Sequence, residues 1–417
     1  MIMLSLVILL LLFAATCGAA LLRPLRIGAG WWAAAAAVIA VSTGLVPLAR
    51  ALASLGTTAN VLAFFGGLIL LTAVLHRVGA LELLLDRMER WSGSSPRRLL
   101  VATMVVTAGV TAIFSNDAAA LLIAPSLVGR VRARGLAPTP FVLAVAIVAN
   151  SASLLLPVSN PVNLLLLDRD HIPLAHYLVQ VTPAAVVGLA LTCLLIAVMS
   201  RRRLGSGGVP AVPTRDLDRS LLVVVAVILA GLAGVDLAFA VLNLPLGPPT
   251  LVAGALAALG MWLRGGRKDA AALRFGPWAL LPLVAGMAVI AAGLEQSHVL
   301  GELWATMVTG GTGLSTQLWV GGLTGLLAAA VNNLPAAFLV SAGLAAAHHL
   351  GSMVVPVIAG ADLGPNLAPI GSLSTILVFN AAGSRGDRPT WGAFWRLSGV
   401  AGTVGLVSTL GLTALVR

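Results

Sequence analysis

Apolar stretches long enough to cross a bilayer, about 18–20 residues each, follow one another along this chain with short polar joints between them. Those over 2–22, 28–49, 57–79, 175–199, 219–235, 249–263, 277–293 and 391–414 run without a break and predict membrane-crossing helices. Other apolar segments, 98–134, 140–168, 317–349 and 352–380, each carry a polar or Gly/Pro interruption near the centre. The stretch 81–92, LELLLDRMERWS, mixes apolar and charged residues at helical spacing and predicts a helix lying in the membrane interface.

The interruptions decide the architecture. Segment 98–134 is bounded by Arg97 and Arg98 at one end and by Arg130, Arg132 and Arg134 at the other, so both ends belong to one side of the membrane. A single span cannot do that. A re-entrant hairpin can, with a polar tip at Ser115, Asn116 and Asp117. Irregular backbone at such depth is tolerated only where it packs in protein or lines a wet cavity. Segment 317–349 repeats the plan around Asn332, Asn333 and Pro335; its ends carry no Lys or Arg, so it should enter from the opposite side. The segment after each hairpin breaks over 157–163 and 361–371, where prolines remove backbone donors and clash with the preceding turn.

The expected fold is therefore an all-α polytopic membrane protein, an inverted repeat of two five-span halves. Each half has a re-entrant hairpin and a broken helix, giving about ten spans and two hairpins in all. The first repeat covers 1–200 and the second 219–417. The segment 201–218, RRRLGSGGVPAVPTRDLD, is a Gly/Pro-rich cytoplasmic linker. With the N-terminus outside, all of the 25 Lys and Arg except Arg50, Arg169 and Arg417 fall on the cytoplasmic side. The first apolar stretch lacks the positive n-region of a signal peptide and reads as a retained span.

Composition agrees. The 417 residues are 59% hydrophobic and 9% charged, against about 25% charge in soluble domains. The net charge of +11 sits in short loops, where the cytoplasmic bias explains it, so no nucleic-acid partner is expected. Lys268 is the sole lysine and no GxxxxGK stretch exists, which excludes a P-loop ATPase in this chain. Cys17 and Cys193 lie in apolar runs and read as packing residues rather than a disulfide or metal ligands. No nucleophile–base set or metal cluster stands at the breaks, so the chemistry is transport, not catalysis, and no cofactor is implied.

Asp117 and Asp362 stand out from the other acidic residues because both lie in central breaks. An ionised carboxylate at that depth costs several kcal/mol unless it is paired, hydrated or protonated, which suits a group that carries a proton. The alternative is a carboxylate capping a half-helix, as Asp117 could do for the AAALLIA that follows it. Asp236 and Glu295 sit at span ends and should be solvated. Asn116, Asn150, Asn160, Asn163, Asn332, Asn333 and Asn366 gather at the breaks with Ser115, Ser153, Ser159, Ser372 and Thr375. Amides and hydroxyls offer donors and acceptors without charge, the chemistry of a site for a small polyhydroxylated solute. Asn150 and Ser153 are expected to be plain packing contacts. No Arg, Lys or His falls in any break, so an anionic solute would find counter-charge only at helix N-termini.

The stretches FSNDAAALLIAP, VSNPVNLL, NNLPAAFL and GADLGPNLAPIGSLSTIL resemble, in the same order and over essentially the whole chain, the arsenite efflux carriers. These are the arsenical pump membrane protein family of the ion transporter superfamily. The resemblance implies secondary active export of trivalent arsenic or antimony, as the neutral trihydroxide, across a prokaryotic plasma (inner) membrane in exchange for protons. The partners implied are arsenite or antimonite, protons, the lipid bilayer and, in some members, a separate ATPase subunit. Carried over by motif, the substrate-binding residues would be Asn116, Asp117, Ser159, Asn160, Asn163, Asn332, Asn333, Asn366, Ser372 and Thr375, with Asp117 and Asp362 coupling protons. Ala361 precedes Asp362 where that family commonly has cysteine, which removes a thiol ligand for arsenic. The competing readings are a Na⁺/H⁺ antiporter or a citrate or dicarboxylate carrier of the same superfamily, and a passive channel for neutral solutes.

Overall fold

The computed structural model describes residues 2–22, 28–205, 219–242, 244–274, 276–308, 311 and 313–415. Of the linker 201–218, the part beyond 205 lies outside the described residues, as does Arg417. Among the described residues every regular element is a helix, as an apolar solvent requires: backbone groups without water must bond within their own segment.

The chain opens with α1 (Ile2–Leu22), α2 (Ala29–Ser42), α3 (Leu48–Val78) and the short amphipathic α4 (Ala80–Ser92). The first hairpin is α5 (Pro96–Ile113) and α6 (Asn116–Ala133). The first broken helix is α7 (Thr139–Ala152) and α8 (Pro161–Arg169), followed by α9 (Leu174–Gln180) and α10 (Thr182–Ser200). The order then recurs: α11 (Arg219–Val241), α12 (Gly247–Ala270), α13 (Leu280–Leu294) and α14 (His298–Met307) lead to the second hairpin, α15 (Leu314–Val331) and α16 (Asn333–Ala346). The second broken helix is α17 (Leu350–Leu363) and α18 (Leu373–Gly383), and α19 (Trp391–Leu415) ends the described chain.

The helices are interrupted between Ile113 and Asn116, between Ala152 and Pro161, at Asn332 and between Leu363 and Leu373, close to where the apolar pattern is interrupted, and a short helix covers Ala80–Ser92. The predicted spans 28–49 and 57–79 differ: α2 stops at Ser42 and α3 starts at Leu48, behind Pro47 at its N-cap. Among the described residues, six helices are long and apolar enough to cross a membrane, or seven if α13 and α14, bent by 88°, count as one span. The chain is thus a multi-pass membrane protein. The expected count of about ten differs: Met3–Ala19, Ala29–Ser42, Thr139–Ala152 and Ala226–Asp236 are shorter apolar stretches, and the six include α5 and α15, expected as hairpin arms.

Packing follows the same alternation. α3 lies along α12, α2 along α13 and α10 along α19, while each hairpin's first arm packs on the first helix of the break that follows it: α5 on α7, α15 on α17. The α15–α17 contact is close because glycines face each other. A Cβ at Gly360 would run into the Gly321 carbonyl, and one at Gly364 into Gly325. Small residues at helix crossings are how bilayer proteins gain packing energy without a hydrophobic drive.

Candidate functional site

Four helices begin at the centre of the molecule, and their first turns build the site. Ser115 caps α6, its hydroxyl accepting the Ala118 N–H at 3.1 Å. Asn160 caps α8 by accepting from Val162 N at 3.2 Å, with Pro161 in the first helical position. Ser372 caps α18 by accepting from Thr375 N at 3.1 Å. α16 follows Asn332, whose φ of 87° lies in the left-handed region that Asn tolerates better than most residues. All of these N-termini carry positive dipole ends.

Each break is tied to the hairpin before it. The Ser159 hydroxyl donates to the Ala112 carbonyl at 3.0 Å, and Asn333 N donates to the Gly371 carbonyl at 2.9 Å. The breaks are also tied to each other. Asp362, near the end of α17, accepts from the Asn160 amide at 2.6 Å on one oxygen and from the Asn163 amide at 2.8 Å on the other. Asn150, near the end of α7, reaches the other way. Its amide donates to Thr375 at 3.0 Å and to the Asn366 oxygen at 3.1 Å, and its oxygen accepts from Ser372 at 2.8 Å and Ser374 at 2.9 Å. Asn366 donates back to Ser151 at 2.9 Å.

These two sets of contacts match position by position. Asp362 stands in α17 where Asn150 stands in α7, and the same displacement along the chain relates Ser372 to Asn160 and Thr375 to Asn163. Asp362 takes Asn160 and Asn163, and Asn150 takes Ser372 and Thr375. Asn150, expected from sequence to be a packing contact, is a hub of the central network. A signal was present, since ANSASLLLP and GADLGPNLAP align on their prolines and set Asn150 opposite Asp362.

The expected capping role of Asp117 belongs to Ser115 instead. Asp117 sits in the first turn of α6, 5% exposed, and no hydrogen bond or ion pair among the described residues holds its carboxylate. Asn116 accepts from the Asp117 N–H at 2.9 Å, and Asn333 accepts from the Leu334 N–H at 2.9 Å. The side chains of Ser159, Asn160, Asn163, Asn366, Ser372 and Thr375 are buried together between the breaks, while Asn116, Asp117, Asn332 and Asn333 form the two tips. Tyr177, which sequence reading did not single out, closes the network from α9. Its hydroxyl donates to the Leu154 carbonyl at 2.8 Å and lies 3.5 Å from the Asn163 amide. No basic side chain among the described residues bonds to any of these groups, and no group of three or more potential metal ligands occurs among them.

The far end of α8 is fastened to the helices around it. Asn60 of α3 bonds Asp168 and also accepts the Gly247 N–H at 2.7 Å. Arg169 pairs with Glu295 at 2.7 Å, so Glu295 is partnered rather than merely solvated. At the opposite end of α13, a cavity of about 420 Å³ is lined by Gly28, Arg274, Leu121, Asn332, Pro335 and Leu373.

The sequence profile of the citrate transporter family matches residues 8–363. The chain is 28% identical to an arsenical pump membrane protein of Escherichia coli over 94% of its own length and 95% of that protein. It is 26% identical to one of Yersinia enterocolitica over 97% of each. An uncharacterized transporter of Mycobacterium tuberculosis is 25% identical over 82% of each chain.

Proposed function

Because this chain belongs to the citrate transporter family, and so is a membrane transporter, we propose that it exports trivalent arsenic or antimony from the cytoplasm, as the neutral trihydroxide, in exchange for protons. The observation that carries this reading is the set of groups at the crossed breaks: amides, hydroxyls and the Asp362 carboxylate, with no basic side chain among the described residues bonded to them. A neutral polyhydroxyl solute can accept from the Asn160 amide hydrogen that Asp362 leaves free, and can donate to the Asn163 oxygen and to a carboxylate. The names of the relatives in Escherichia coli and Yersinia enterocolitica support the same substrate. The chain works by secondary transport, without an ATPase of its own.

The architecture we propose is two inverted repeats, 1–200 and 219–417, joined by 201–218, with the N-terminus outside. Its support is the matched network above. α3 on α12 mirrors α13 on α2, and α10 meets its own counterpart α19. In the cycle, the solute enters from the cytoplasm and lodges where the tips and breaks converge. A deprotonated carboxylate accepts its hydroxyls. After the change of access, a proton from the more acidic exterior displaces the solute, and the neutral carboxyl is cheaper to bury on the return.

The citrate-carrier reading has the family's description behind it. A tricarboxylate at this site would meet helix N-termini but no cationic side chain, which leaves most of its charge uncompensated. The test is uptake into inside-out vesicles with an acidic lumen. Gradient-driven accumulation of arsenite is the expected result. Arsenite equilibration indifferent to the gradient would make the protein a channel, Na⁺-driven proton movement without arsenite transport would make it a cation antiporter, and citrate accumulation would make it the anion carrier.

A further inference from the structure

The two central carboxylates have different surroundings. Asp362, 1% exposed, is held at both oxygens by amides from the other broken helix. Its counterpart Asn150 performs the matching task with a neutral side chain. That position therefore needs a fixed acceptor, and a fixed acceptor need not titrate. Asp117 is released from capping by Ser115 and held by no partner.

The elements packed on α6 bring no charge to its tip. α7 and α18 contain no charged residue. On α4, Asp86 and Glu89 pair with Arg130 at the far end of α6, beside Arg87, Arg90 and Glu82 of the same short helix. Arg97 and Arg98 begin α5, and α3 has its charges near its two ends, at Arg50, His76 and Arg77. Arg132 near the C-terminus of α6 pairs with Asp387 at 2.5 Å.

Leu121, one turn beyond Asp117 on α6, lines the cavity of about 420 Å³ described above together with Asn332. Resting on the antiport reading, we infer that this cavity brings solute and proton to the site from one membrane face, and that Asp117, not Asp362, carries the exchanged proton. Protonated Asp117 gives its proton to water in the cavity. The carboxylate left behind accepts a solute hydroxyl, while Asp362 stays ionised and clamped throughout.

Two measurements on the purified full chain test this. In weakly buffered detergent solution, arsenite added to the wild type releases protons. Asp117→Asn is expected to reduce that release at least tenfold, while Asp362→Asn is expected to lower the melting temperature. Independently of any solute, infrared titration should show a carboxyl band that disappears in Asp117→Asn and survives in Asp362→Asn. A band that survives in Asp117→Asn and is lost in Asp362→Asn overturns the assignment. If the wild type has the Asp117 band yet arsenite releases no proton, the arsenite reading fails and the assignment of Asp117 stands. Should Asp117→Asn not fold, Asp117→Ser, a small polar residue suited to a first helical turn, takes its place.

Discussion

Asn163 donates its amide to Asp362 at 2.8 Å, and by that bond the break between α7 and α8 is joined to the break between α17 and α18. Asn160 repeats the contact at 2.6 Å on the second oxygen. Both amides and the carboxylate are buried. Hydrogen bonds to a charged group in such a setting contribute about 1.5–3 kcal/mol each.

Asn160→Ala should accordingly lower stability by about 2–4 kcal/mol, because it removes one clamp on Asp362 and the N-cap of α8 together. Thermal unfolding in detergent reads this directly. An unchanged melting temperature would mean that Asp362 is not held through that amide.

Asn150→Leu should be more damaging than its conservative size suggests. It takes one partner each from Ser372, Ser374, Thr375 and Asn366 in a buried space, leaving the three hydroxyls only one another and Asn366 only Ser151, at about 1–3 kcal/mol for each polar atom left unpaired. Ser374→Ala, which removes a single donor to Asn150, should cost only about 1 kcal/mol. Equal losses in the two variants would show that Asn150 is not the hub.

Gly360→Ala should cost about 1–3 kcal/mol through overpacking of α17 on α15, since its methyl would meet the Gly321 carbonyl. Gly322→Ala, on the same stretch of α15 with open space around it, should be neutral or slightly stabilising. Reconstitution yield and melting temperature of the two variants, compared side by side, decide the point.

Glu89 lies in α4, outside the spans, where burial pushes its carboxyl above the ordinary value of 4.5 against the opposing pull of Arg130 and Arg134. An acid raised in this way binds its proton more tightly folded than unfolded. Its contribution is therefore fully present below 4.5 and is lost as pH rises from there through the higher folded value. Glu89→Gln should flatten that decline in melting temperature. A decline of the same slope in the variant would assign it to a different carboxyl.

The sequence by itself determined an all-helical membrane chain, the places where its helices are interrupted and the set of amides and hydroxyls gathered there. The reason is the solvent: hydrocarbon penalises every polar group, so Ser115, Asn116 and Asp117 inside an apolar run mark a special place without any structure. What only the tertiary structure decided is who meets whom. The partners of Asn150 and Asp362 lie 199 to 225 positions away in the chain, and no local spacing pairs Asn163 with Asp362 or Arg169 with Glu295. Nor does it hand the cap of α6 to Ser115 and leave Asp117 unheld. Those outcomes depend on how helices cross and on the direction in which each side chain leaves its own, and both are fixed when the broken helices pack.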